Sequence, residues 1–119
     1  MESDKHSLGI ATQDALMVIA GASGTASRDL RPGLSLTADL GLDDVGLALV
    51  ADYLQRIADR MRRSASPSPL DAESLRDALV WQALATMFAQ AGHVLEADDI
   101  RTHVAAALGR LRGYDTGSG

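Results

Sequence analysis

Apolar residues recur along this chain at three- and four-residue spacing, and strict alternation is nowhere sustained, so the pattern predicts helices and no strand. A first helix is expected over residues 7–20, where Leu8, Ala11, Ala15, Leu16 and Ile19 share a face. Ser7 suits its N-cap, and Gly21 and Gly24 suit its end. A second helix is expected over 45–62. "RSASPSP" then interrupts the chain, and a third helix opens at Leu70 or Asp71 and runs to Gln90. From Ala78 onward that helix is apolar on nearly every side (Leu79, Val80, Trp81, Leu84, Met87, Phe88), which marks it as buried and central. Gly92 stops it. A last helix begins near residues 96–98 and buries Ile100, Val104, Leu108 and Leu111, before a flexible tail over 113–119. The expected fold class is all-α, a small helical bundle in a single domain over 1–119.

The long connection "GASGTASRDLRPGLSLTADLGL" is too rich in Gly, Ser and Pro for one helix. Leu30, Leu34, Leu36, Leu40 and Leu42 punctuate it. A loop so supplied with leucines is expected to be pinned to the core, with a helical turn near 36–40.

Composition narrows the function classes. Hydrophobic residues make up 46% of the 119, enough for a packed core and too many for a disordered chain. Trp81, Phe88, Tyr53 and Tyr114 are the only aromatics, so the core is aliphatic and Ala-rich, which suits helices. The net charge of -5 and the single lysine, Lys5, argue against a nucleic-acid partner. The one basic run is "RIADRMRR", with Arg56, Arg60, Arg62 and Arg63. It reads as a charged helix end that complements the macrodipole, and secondarily as a docking patch. Without Cys there is neither a disulfide nor a thiolate. No segment approaches the ~18 apolar residues of a membrane span, and "MESDKHS" lacks a signal-peptide pattern, so no membrane is involved and the expected location is the cytoplasm.

No catalytic constellation is legible. "VIAGASGT" has the look of a dinucleotide-binding turn, but the segment before it reads as helix and position 27 is Ser, so it reads as a helix end. His93, Asp98, Asp99 and His103 contain one pair at helical spacing, short of a metal site. No Ser or Asp is paired with a base. No cofactor and no metal are expected.

The segment "LRPGLSLTADLGLDDVGLALVADYL", residues 30–54, resembles the acyl and peptidyl carrier protein family. Leu30, Pro32, Leu36, Asp39, Leu40, Gly41 and Asp43 fall in register with its "DLG-x-DS-L" loop and the helix that follows. The resemblance covers residues 7–88 and implies a carrier-like four-helix bundle, to which residues 96–111 add a further helix. It also implies a link to fatty-acid, polyketide or nonribosomal peptide biosynthesis. One departure is decisive for chemistry. The position at which carriers keep the Ser that receives phosphopantetheine is Asp44, and a carboxylate cannot serve as that nucleophile. Leu49 stands where the family commonly has a Glu read by partner enzymes. A weaker resemblance, to small chaperone-modulator proteins with a similar "LGLD-x-x-G" entry, implies instead a small helical adaptor unrelated to carriers.

The second helix carries its own argument. Leu47, Val50, Leu54, Ile57 and Met61 form one stripe, and Val45, Leu49 and Tyr53 form another on its flank. Together they span about 200°, twice the apolar arc of an ordinary surface helix. Something must cover the flank. The favoured expectation is the last helix, with Ile100, Val104 or Leu108 against Val45, Leu49 or Tyr53. The other is a protein partner, a homodimer included. The candidate interface is thus Val45, Leu49 and Tyr53, with Arg56 and Arg60 beside them. The expected function is a non-catalytic, carrier-like interaction or regulatory module.

Overall fold

Helices with one apolar face must bury it against another element, and here they bury it on other helices. A computed structural model describes residues 2–26, 29–62, 70–93 and 95–117, with backbone alone for 2–7, 62 and 112–117. Among the described residues it contains five helices: α1 (Glu2–Ser23), α2 (Asp44–Arg62), α3 (Ala72–Leu75), α4 (Val80–Gln90) and α5 (Ala97–Gly117). The expected all-α bundle is what forms. The breaker "RSASPSP", and with it Arg63 of the basic run, lies outside the described residues.

α4 is central, as its all-round apolarity predicts. It packs against α1, α2 and α5, and buries Val80, Ala83, Leu84, Met87 and Phe88. α1 packs on α2 and α5 through Leu8, Ala11, Ala15, Leu16 and Ile19. It starts well before Ser7, which therefore lies inside the helix and is not its N-cap. The polar segment ahead of Ser7 has no apolar period to announce a helix. It does put acidic residues at the end where negative charge suits the dipole. At the other end Gly24, at φ 73°, lets Thr25 N–H reach back to the Ala20 carbonyl (3.1 Å), which closes α1. "VIAGASGT" is thus a helix end.

The helix expected over 70–90 is two helices. Asp71 caps α3, accepting from Ser74 N–H at 2.9 Å and from Ser74 Oγ at 2.8 Å. The chain then turns, and Leu79 is extended before α4 starts. The cause is the leucine-bearing loop, which docks against this junction. Leu36 N–H donates to the Ala78 carbonyl (3.2 Å), Val80 N–H to the Leu34 carbonyl (2.9 Å) and Trp81 N–H to the Pro32 carbonyl (3.1 Å). Loop carbonyls thus satisfy two amides that a helix start leaves without intrahelical partners. Leu79 N–H is taken by Gln82 Oε1 at 2.9 Å. Leu30, Leu36, Leu40 and Leu42 are buried, so the loop is part of the core, as its leucines predict.

α5 begins where expected and buries Ile100, Val104, Leu108 and Leu111. It runs past the expected 96–111, so the tail placed from residue 113 is helical to Gly117. No helix among the described residues is long and apolar enough to cross a membrane.

Candidate functional site

The entry to α2 is built by a short backbone relay. Ser35 starts a helical turn: its Oγ accepts from Ala38 N–H (3.1 Å), and Asp39 Oδ2 accepts from Ser35 N–H (2.7 Å). Gly41, at φ 71°, ends the turn in a conformation that favours glycine. Leu42 then drops into the core, and Asp43 caps α2. Its Oδ1 accepts from Gly46 N–H at 2.8 Å, while its carbonyl accepts from Leu47 N–H at 2.8 Å. Gly46 is confined here. A Cβ on it would lie 2.9 Å from Leu42 Cδ2, so this glycine lets Leu42 fold over the first turn.

Asp44 is the first residue of α2 and does not share the capping role. Its carboxylate is 82% exposed and meets Arg76, beyond α3, at 3.3 Å. The two adjacent carboxylates therefore diverge, one to a backbone amide and one to a guanidinium on another element.

Beyond them, α2 divides into the two expected stripes. Leu47, Val50, Leu54 and Ile57 are buried and Met61 is packed partly against the core. Val45, Leu49 and Tyr53 are exposed by 77%, 47% and 43%. The expected cover is absent, and this corrects the favoured reading. α5 packs on α1 and α4, and Ile100, Val104 and Leu108 are buried there. The stripe on α5 specifies that it docks, not where.

Arg56 and Arg60 continue the exposed side of α2 toward its C-terminal end. Arg56 pairs with Asp52 one turn back (3.0 Å) and lies over the Tyr53 ring, 5.5 Å from its centroid. Both arginines line a shallow groove of about 660 Å³ between α1 and α2, with Met17, Val18, Tyr53 and Ile57 as its apolar wall and Asp14 and Asp59 as its acids. Sequence reasoning missed the α1 contribution. Asp14, Met17 and Val18 come from α1, and Met17 is 54% exposed. Met17 lies off the Leu8–Leu16 stripe, which was the available signal. It also missed Arg76 as the partner of Asp44.

No family model, no curated protein and no solved structure matches this chain.

Among the described residues no three His, Asp or Glu side chains converge to hold a metal. The Asp98 side chain instead meets Arg101 at 3.4 Å, and Arg101 lies over the Trp81 ring, 4.7 Å from its centroid, joining α5 to α4. The surface that stands out is therefore the α2 face: a capped helix start, an apolar flank and two arginines.

Proposed function

We propose that this protein is a non-catalytic binding module on the carrier-protein plan, working in the cytoplasm, that holds no phosphopantetheine and meets protein through α2. The reading is carried by one juxtaposition. Asp44, exposed at the first turn of α2, occupies the position at which the resemblance expects the arm-bearing Ser, and the exposed apolar flank Val45–Leu49–Tyr53 follows directly. The order of elements supports it as well: a long first helix, a leucine-pinned loop, then α2, α3 and α4. An apolar flank left open on a small helical domain is the kind of patch that marks a protein contact. The implied setting is fatty-acid, polyketide or nonribosomal peptide assembly, and fold alone does not decide it.

The test is incubation with a phosphopantetheinyl transferase and coenzyme A, read by intact mass. The wild-type chain is expected to stay unmodified, and a gain of one arm overturns the non-carrier reading. The Asp44→Ser variant is expected to accept the arm, since the loop and helix start would then match the transferase's substrate. Its refusal would remove the carrier plan.

A second reading, a small helical adaptor with no link to carriers, is favoured by α5. This helix is additional to the implied four-helix plan and buries Ile100, Val104, Ala107, Leu108 and Leu111 in the core. Recovery of chaperones or transcription machinery in a pulldown, in place of ketosynthase or adenylation-type enzymes, would promote it.

A further inference from the structure

All the sulfur in this chain is methionine. There is no Cys, so no thiol competes for an oxidant, and the four thioethers are Met1, Met17, Met61 and Met87. Met1 lies outside the described residues. The other three differ sharply in access. Met87 on α4 is fully buried, Met61 near the end of α2 is packed partly against the core, and Met17 on α1 is 54% exposed. Leu16, Ile19 and Ala20 beside it are buried and hold α1 to the core, so Met17 is on the side that α1 turns outward. It does not stand alone there. With Val18, Tyr53 and Ile57 it forms the apolar wall of the groove between α1 and α2, whose charged groups are Asp14, Arg56, Asp59 and Arg60.

We propose that Met17 is a reversible oxidation site, at which a hydroperoxide changes the wall of this groove from apolar to polar while the fold persists. The step balances without a protein catalyst. The Met17 sulfur attacks one oxygen of the peroxide, the S–O bond forms as the O–O bond breaks, and the sulfur gives up two electrons. The displaced oxygen takes the proton of the transferred hydroxyl and leaves as water, or as an alcohol from an alkyl hydroperoxide. Sulfoxide reductases reverse the change, supplying two electrons and two protons and releasing water. Position decides the consequence. A sulfoxide is polar and disrupts packing when it forms inside a core. Met87 is reached only by opening the central helix, whereas access to Met17 needs no such opening. The oxygen on Met17 is a hydrogen-bond acceptor placed in a groove that holds two guanidinium groups, which can only donate. The groove thus keeps its frame and loses part of its apolar wall. Nothing in this step depends on the carrier plan, so it and the mass test of arm transfer fail separately.

Hydrogen peroxide applied to the full chain, quenched at intervals and read by peptide mass mapping, tests the site. Met17 is expected to gain one oxygen at least about tenfold faster than Met87, with Met61 between them, since a buried thioether reacts only through local opening. The chain oxidised at Met17 is expected to keep its helical circular dichroism and to elute earlier from a hydrophobic-interaction column. Met17→Gln, which puts a polar amide in the same place, is expected to elute early without peroxide. Met17→Leu keeps the wall apolar and has no sulfur there, so its retention is expected to hold under the same treatment. A pair of methionine sulfoxide reductases, one for each epimer, is expected to restore the original mass and retention. Oxidation of Met61 or Met87 ahead of Met17 overturns the site. Loss of the helical signal, unchanged retention after oxidation, a Met17→Leu chain that shifts as far as wild type, or an oxygen that the reductases leave in place overturns the reversible change of the groove.

Discussion

At the start of α2, Asp43 holds the Gly46 amide while Asp44 reaches over to Arg76, and the two contacts differ in worth. An N-cap carboxylate satisfies a donor that otherwise has no partner in the helix, so Asp43→Ala is expected to cost about 0.5–2 kcal/mol. An exposed ion pair at 3.3 Å is screened and entropically costly to hold, so Asp44→Ala is expected to stay within about 1 kcal/mol of wild type. Urea denaturation of both variants checks the contrast. Equal costs would mean that Asp44 shares the cap. Asp71 behaves differently with pH. The hydrogen bond from Ser74 Oγ, then that from Ser74 N–H, holds its carboxyl below the ordinary value, against a smaller opposing effect of burial. A depressed folded-state value means that the stabilisation is present above the unfolded-state value, near pH 3.9, and is lost as pH falls through the folded one. The stability gap between wild type and Asp71→Asn is therefore expected to be constant at neutral pH and to move against wild type below about pH 4. Thermal melts across that range would show it, and a gap unchanged into strong acid would refute the role of the carboxylate.

Helix ends and the loop meet at a few side chains that tie distant elements together. Gln55, buried on α2, accepts from Leu70 N–H at 2.8 Å and donates to Asp59 at 2.8 Å, fixing where the chain returns after the Pro-rich breaker. Gln55→Leu removes the acceptor and leaves a buried amide unpaired. It is expected to cost about 1–3 kcal/mol in chemical denaturation, against little change for a surface residue such as Arg56. A neutral result would mean that water replaces the side chain. Much of this level was legible beforehand. α2 and α5 announce themselves because their apolar spacing is uninterrupted, the all-round apolarity from Ala78 onward marks a central helix without its start, and the flank Val45–Leu49–Tyr53 was visible because two stripes exceed what one helix face can bury. The break between α3 and α4 was not legible, because the apolar pattern runs straight through it. What divides the segment is hydrogen bonding from Pro32, Leu34 and Leu36, residues more than forty positions away. The landing place of α5 was hidden for a similar reason. Ile100, Val104 and Leu108 define a stripe, and a stripe carries no address.

At the scale of the molecule, α5 decides whether residues 2–93 form a unit alone or need the last helix. It covers α1 and α4 together, and its Val104, Ala107 and Leu108 are buried against them. Stripping it would expose the central helix that every larger element touches. The five helices are therefore expected to unfold as one cooperative unit. Trp81 offers a local reporter. It sits half-buried on α4 with Arg101 of α5 over its ring at 4.7 Å, so its fluorescence follows the α4–α5 contact, whereas far-ultraviolet circular dichroism follows all helices at once. The two probes are expected to give coincident urea transitions, with one midpoint and one slope. Val104→Ala is expected to shift both midpoints down together, by about 0.5–3 kcal/mol for a buried large-to-small change. If α5 were an appendage, the fluorescence transition would come first and Val104→Ala would move it alone. That outcome would place the stable core in α1 through α4 and leave the last helix as a separable cover.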